Sequence, residues 1–294
     1  MVDMFEDFKS YLKGVKRVSG NTLDAYIRDI SQFLSYCSMN GTNNLSVIDK
    51  DYLLKYIDYL KFMGKSDSTK TRVIASIRCY FKFLQSVGAV ENNPAETIKN
   101  PRNAKKLPTI IDSKEILQLL SQPNGNDYKS IRDRAILELL YATGIRVSEV
   151  IDLSVSDVNL EIGILMLHGK SERVIPIYPA AVKHIGEYIN TVRPAIVTSK
   201  NENHLFTNMS GHALSRQGCW KIIKYYAEQA GIKVDITPHT LRHSFAAHLL
   251  ENGAQLKDIK EMLGHSDISS TQIYAQIVKS KYIQSYSKFH PLAK

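Results

Sequence analysis

The sequence predicts a mainly α protein of two domains, a helical bundle followed by a mostly helical domain carrying a small antiparallel β-sheet. Three observations predict it. The chain has 294 residues, room for two domains that each bury a core. Apolar residues recur at helical spacing over most of that length, and only two short runs, ILMLH at 164–168 and RVIPI at 173–177, read as strands. A basic stretch without apolar period, KNPRNAKKLP, lies between the helical regions and is punctuated by proline.

In the first domain, residues 1–98, Met4, Phe5, Phe8, Tyr11 and Leu12 stand at helical spacing. Ser19 to Asn21 open a second helix through Tyr26, Ile27, Ile30, Phe33 and Leu34. Tyr52, Leu53, Tyr56, Ile57 and Leu60 mark a third, and Val73, Ile74, Ile77, Tyr80, Phe81 and Leu84 a fourth that ends near Gly88. Residues 99–111 read as a basic linker. The second domain, residues 112–294, resumes with helices at about 113–121 and 131–142, the latter stopped by Thr143 and Gly144, and a short helix from Val147 to Leu153. The two strands then flank GKSE, the layout of a hairpin whose turn carries Lys170. Helices return at about 180–192 and 215–230. Thr237 and Pro238 supply the N-cap and first position of a helix running to Gly253. Helices at about 256–263 and 269–279 follow, and KYIQSYSKF forms a last amphipathic segment, with no repeats or low-complexity tracts.

Hydrophobic residues make up 44% and charged residues 23%, which excludes wholesale disorder and fibrous repeats. The net charge is +9 and the pI near 9.2. Residues 1–102 carry 15 Lys and Arg against 11 Asp and Glu, and the remainder 23 against 18. A basic excess in both halves points to two domains facing one polyanion, although a basic protein without such a partner shares that composition. Cys37, Cys79 and Cys219 are widely separated and form no C-x-x-C pair, which predicts a reducing, cytoplasmic setting. The first residues, MVDMFEDFKS, are acidic where a signal peptide is basic. No apolar run approaches the ~18 residues of a membrane span.

Two GKS triplets, at 64–66 and 169–171, fail the phosphate-loop spacing, because the leading glycine would have to sit at Tyr59 and Ile164. Neither G-x-G-x-x-G nor H-E-x-x-H occurs. His239 and His243 share a helix face at i, i+4 and could chelate a metal, but no glutamate of the metalloprotease kind accompanies them. No metal or cofactor is expected.

The dense constellation lies in the second domain. His239 is placed at the second position of its helix, where unpaired N–H groups and the dipole favour an anion. A neutral histidine beside a phosphate is a usable proton acceptor. Arg242 follows one turn later, and its fork can hold two phosphate oxygens. A capping histidine and a surface arginine would share that spacing. Arg146 stands at a loop-to-helix junction with Glu149 three residues on, so that the carboxylate can fix the guanidinium. Lys170 at a hairpin tip can reach a cleft as a proton donor. His265 follows Gly264 at a helix end, and Tyr274 lies in the last core helix, but spacing alone does not choose Tyr274 over Tyr282 or Tyr286.

The series TGIRVSEV, HGKSERVIPI, PHTLRHSFAAHLLENG and LGHSDISSTQIYAQI resembles the tyrosine recombinases, the integrase family, in order, type and approximate spacing over residues 109 to about 280. The first domain is similar to their helical core-binding, SAM-like domain through VSGNTLDAYIRDISQFLSYC, STKTRVIASIRCYFKFL and NNPAE. The overall length is similar to that of the short Xer-type members, the archaeal kind among them. The resemblance implies an active site of Arg146, Lys170, His239, Arg242, His265 and Tyr274, with I-x-x-T-x-x-Y at Ile268, Thr271 and Tyr274 singling out the nucleophile. It implies a two-domain clamp on duplex DNA, cleavage through a 3′-phosphotyrosyl bond with neither ATP nor metal, exchange through a Holliday junction, and four protomers on two sites. The segment 279–294, with Tyr282, Ile283, Tyr286 and Phe289, would then pack onto a neighbouring protomer, or fold back onto its own domain. Lys70, Arg72, Arg78, Lys105, Lys106 and Arg173 are the expected further DNA contacts. The expected role is resolution of chromosome dimers, with or without an activating partner protein. An integrase of a phage or mobile element, a type IB topoisomerase, a non-catalytic DNA-binding protein and a metal-dependent nuclease are the alternatives.

Overall fold

A computed structural model describes residues 2–42, 44–100, 108–169, 172–199, 202–265, 267, 268 and 270–275. Lys105, Lys106, Lys170 and the segment 279–294 lie outside the described residues. The chain divides into two compact units, residues 1–106 and 107–294.

The first unit is a bundle of α1 (Val2–Gly14), α2 (Gly20–Met39), α3 (Lys50–Phe62) and α4 (Asp67–Ser86). Ser19, Asp49 and Ser66 each turn a side-chain oxygen to an N–H in the first turn of the following helix, which sets where α2, α3 and α4 begin. The apolar stripes meet in a core rich in aromatic rings. Phe8 stands edge-on to Tyr80 with centroids 4.9 Å apart, and Phe33 is tilted against Tyr56 at 5.1 Å.

A buried carboxylate crosses this core. Asp29 on α2, 2% exposed, accepts from Arg72 Nη1 at 2.6 Å and Ser76 Oγ at 2.7 Å, both on α4. Arg78 donates to the carbonyls of Ala95 (3.1 Å) and Ile98 (2.8 Å), tying the segment after α4 back onto it. Lys70 is 9% exposed and pairs with Asp67 at 2.6 Å. The expectation that Lys70, Arg72 and Arg78 face DNA is therefore corrected. Their charges neutralise Asp67 and Asp29 or satisfy backbone carbonyls within the bundle.

The second unit is built around α6 (Tyr128–Thr143), preceded by α5 (Ser113–Ser121) and followed by α7 (Val147–Asp152). Ala135, Ile136, Leu137, Leu139 and Leu140 are all buried, so α6 is apolar around its circumference and forms the centre of the unit. Three antiparallel strands follow, β1 (Val158–Asn159), β2 (Ile164–Leu167) and β3 (Arg173–Pro176), in the order β1-β2-β3. Leu165 pairs with Ile175 and Leu167 with Arg173. The hairpin thus matches the expected one, while β1 is too short to show an alternation in sequence.

The helix expected over 180–192 is three pieces, α8 (Pro179–Glu187), a π-helical turn at Tyr188–Val192 and α9 (Arg193–Ile196). Pro194 has no N–H for the α ladder, and the wider turn carries the helix past it while Tyr188 and Val192 stay buried. Next come α10 (Arg216–Gln229), α11 (Pro238–Glu251) and α12 (Leu256–Leu263), then a helical stretch at 270–275. Thr237 caps α11 through the N–H of Thr240, with Pro238 at the first position. Phe245, Ala246, Ile259, Leu263 and Tyr274 pack together, fastening α12 and the 270–275 turn to α11. Among the described residues, no helix is long and apolar enough to cross a membrane.

Candidate active site

Two helix ends and one arginine set the geometry. α6 closes on Gly144 and α12 on Gly264, both left-handed, with φ +59° and +61°. A side chain at either position would be strained and would collide, with Phe245 at Gly144 and with the Arg173 guanidinium at Gly264. Each glycine turns the chain sharply, and a functional side chain follows, Arg146 after Gly144 and His265 after Gly264. Arg242, on the second turn of α11 and 4% exposed, joins the two turns. Its Nη1 donates to the Gly144 carbonyl at 2.7 Å and its Nη2 to the Leu263 carbonyl at 2.6 Å. Both carbonyls belong to helix C-termini, where a cation is favoured.

Arg146 is the N-cap of α7. Its backbone N–H donates to Glu149 Oε2 at 2.7 Å, and its Nη1 lies 3.4 Å from Glu149 Oε1. The carboxylate therefore both caps the helix and orients the guanidinium, as the spacing predicts. Arg173, at the start of β3, reaches the same carboxylate through Nη2 at 3.0 Å and donates from Nε to the Met262 carbonyl at 2.7 Å. It is 9% exposed, so the expectation of a DNA contact at Arg173 is corrected. It fastens the hairpin to the end of α12.

Three guanidiniums, Arg146, Arg173 and Arg242, thus share the single carboxylate Glu149. The surplus positive charge, with burial, acts on every neighbour. Burial first and then Arg146 bring Arg242 down to about 10, which leaves it charged at neutral pH. Burial, then Arg242 and Arg146, hold His265 down at about 4. Burial, His239 and Arg242 hold His243 at about 4. Both imidazoles are neutral at physiological pH. Burial raises the Tyr274 phenol above its ordinary value, against the pull of Arg242 and Arg146, so the hydroxyl is protonated at rest.

The remaining residues converge through hydrogen bonds. His265 Nδ1 lies 3.0 Å from Thr271 Oγ1, which leaves Nε2 for another partner. Thr271 is fully buried, which explains in physical terms the threonine of the I-x-x-T-x-x-Y series. Tyr274 is 1% exposed, and its Oη is 2.9 Å from Nδ1 of His243. His239 stands beside His243, ring centroids 6.3 Å apart. Arg146, His239 and Arg242 open onto a cavity of about 460 Å³ that Arg216 and Trp220 of α10 also line, large enough for a phosphodiester.

Of the six residues singled out in the sequence, five are described, and the structure brings Arg146, His239, Arg242, His265 and Tyr274 into one region. Three residues were missed as site residues. His243 shared an i, i+4 face with His239, a signal read only as a metal pair. Among the described residues no group of three metal-ligating side chains exists. Arg216 and Trp220 begin α10, and nothing local distinguishes them from surface residues.

A family model described as "Phage integrase family" matches residues 109–281, and one described as "Phage integrase, N-terminal SAM-like domain" matches residues 5–88. The protein named tyrosine recombinase XerD of Staphylococcus epidermidis is 41% identical over 295 residues, covering 100% of both chains. XerD of Staphylococcus aureus is 40% identical with the same coverage. Among solved structures, a XerH site-specific recombinase bound to a palindromic difH substrate, a post-cleavage complex, superposes with a TM-score of 0.78 at 22% identity. That match covers 96% of this chain and 84% of the other. A lambda integrase dimer bound to a COC' core site gives 0.72 at 16% identity, covering 93% and 94%.

Proposed function

The chain belongs to the phage integrase family and is a site-specific tyrosine recombinase, and from that premise we propose that Arg146, Lys170, His239, Arg242, His265 and Tyr274 are its catalytic residues. The observation that carries the reading is a buried phenol held where two arginines lower the cost of its charge, beside a cavity whose walls carry those arginines. Surplus positive charge without a matching carboxylate is the signature of a site built for an anion.

Tyr274 Oη attacks the scissile phosphate and the bond to the departing 5′ oxygen breaks, leaving a 3′-phosphotyrosyl link. Arg146 and Arg242 stabilise the charge on the non-bridging oxygens. Lys170 protonates the departing oxygen, and His265, oriented by Thr271, donates to the phosphate. His239, at the cavity wall, serves as a proton acceptor there. The 5′ hydroxyl of the second duplex then attacks and restores Tyr274. The bond energy is conserved, so ATP is not consumed.

A basic excess in both units supports a clamp on duplex DNA, with the first domain at residues 1–98, a linker at 99–111 and the catalytic domain from 112. Arg216 and Trp220 at the cavity mouth are better placed than Lys70, Arg72, Arg78 or Arg173 to meet the backbone beside the scissile bond. Four protomers on paired sites would carry out the exchange, with 279–294 bridging neighbours, in the cytoplasm. End-to-end similarity to XerD proteins supports a role in resolving chromosome dimers. The test is strand exchange between two duplexes carrying a site selected by the protein's own binding, in EDTA. Four-way junctions and recombinant duplexes are expected from the wild type and neither from Tyr274→Phe; binding without either product would remove the reading.

A further inference from the structure

We propose that His243, rather than His239, is the group that takes the phenol proton from Tyr274 during cleavage. This rests on the reading of Tyr274 as nucleophile. A general base must lie within about 2.6–3.2 Å of the proton it removes. His243 Nδ1 meets that condition at 2.9 Å from Tyr274 Oη. His239 lines the cavity instead, on the next turn toward the helix N-terminus, where it faces the site of the phosphate.

The surroundings suit the role. His243 is half-buried on α11, and its ring lies 5.7 Å from that of Tyr274. The titratable and charged groups that face it are His239 and Arg242 of its own helix, Tyr274 from the 270–275 turn, and His265 after α12. No carboxylate is among them to hold a proton on the ring, and burial keeps it neutral, hence free to accept. The contact requires the tautomer with hydrogen on Nε2 and the lone pair of Nδ1 toward Oη.

The step balances. As the Oη–P bond forms and the P–O5′ bond breaks, the phenol proton passes to Nδ1 of His243, and the departing oxygen takes a different proton from its own acid. When a 5′ hydroxyl attacks the phosphotyrosyl link, its proton leaves by the reverse route at the acid's position and His243 returns its proton to Oη. His243 is thus a catalytic residue and His239 a phosphate-side one.

The experiment is single-turnover adduct formation on a nicked duplex bearing the binding-selected site. It uses wild type, His243→Ala, His243→Gln, His239→Ala and Tyr274→Phe, each of the histidine variants also with 3,5-difluorotyrosine at position 274. Loss of a general base slows cleavage by on the order of 10²–10⁴-fold. His243→Ala and His243→Gln are expected to show that loss at neutral pH and a rate rising about tenfold per pH unit above it, where the wild type is flat. Difluorotyrosine, which ionises unaided, restores both variants but leaves His239→Ala slow. A His243→Gln variant as fast as wild type, or rescue of His239→Ala in place of His243→Ala, would overturn the proposal. A wild type that forms no Tyr274-dependent adduct on DNA that it binds would instead remove the nucleophile reading, and His243's role with it.

Discussion

Replacing Arg242 by lysine isolates what its fork does in the fold. The guanidinium is 4% exposed and donates through separate nitrogens to Gly144 O at 2.7 Å and Leu263 O at 2.6 Å. A lysine keeps the charge near the two helix C-termini but presents one ammonium point, which reaches one carbonyl and not both. The loss is one hydrogen bond from a charged donor, about 1.5–3 kcal/mol, together with a buried carbonyl left without a donor. These overlap, and the expected destabilisation is about 2–4 kcal/mol. Trp220 is the only tryptophan of the chain and lies in the second unit, so its fluorescence follows that unit's unfolding in urea. With a slope of roughly 1–3 kcal/mol per molar urea, the midpoint falls by about 1–2 M. A change below about 0.5 kcal/mol at unchanged slope would show that Arg242 does not join the two turns.

Gly144→Ala places a Cβ 2.3 Å from the Phe245 ring at φ +59°, and is expected to cost about 2–4 kcal/mol from backbone strain and overpacking, read by the same fluorescence transition. Gly264→Ala meets only the movable tip of Arg173, at 2.8 Å, so adduct formation should suffer more than the urea midpoint does. In the first unit, Asp29→Ala leaves Arg72 and Ser76 without their shared acceptor. It should destabilise the bundle by about 1–3 kcal/mol in thermal unfolding followed by circular dichroism. His243 and His265, held at about 4 in the fold, return to about 6.5 when unfolded. The unfolded chain therefore binds more protons, and the stability present above pH 6.5 is lost as the pH falls toward 4. Urea midpoints measured from pH 7 to 5 should decline, and His243→Gln should make the decline shallower.

Much of this arrangement is legible in sequence because it is local. The apolar spacing of α2 and α4, the Thr237-Pro238 start of α11 and the Glu149 partner of Arg146 all depend on residues within a turn or two of one another. The glycines that aim Arg146 and His265 stand beside them in TGIR and LGH. What escaped the sequence depends on chain segments that meet only in three dimensions. Arg72 looks like a DNA contact until Asp29, 43 residues earlier, arrives beneath it. Arg173 looks exposed on a hairpin until Met262, 89 residues later, accepts its Nε. The i, i+4 pair His239 and His243 defines a shared helix face, but not that Tyr274 comes to rest against one ring and the cavity against the other. The choice of Tyr274 over Tyr282 and Tyr286 came from the family motif, and the buried Thr271 bonded to His265 supplies a physical reason for that motif.

The most direct test of the account is to identify the residue that becomes joined to DNA. The protein is incubated in EDTA with a nicked duplex carrying its binding-selected site, the adduct is isolated under denaturing conditions, and the DNA-linked peptide is sequenced by mass spectrometry. The account predicts a 3′-phosphotyrosyl link on Tyr274, formed without metal and absent from Tyr274→Phe. An adduct on Tyr282 or Tyr286, one that persists in Tyr274→Phe, or one that forms only when a divalent cation is restored would contradict it.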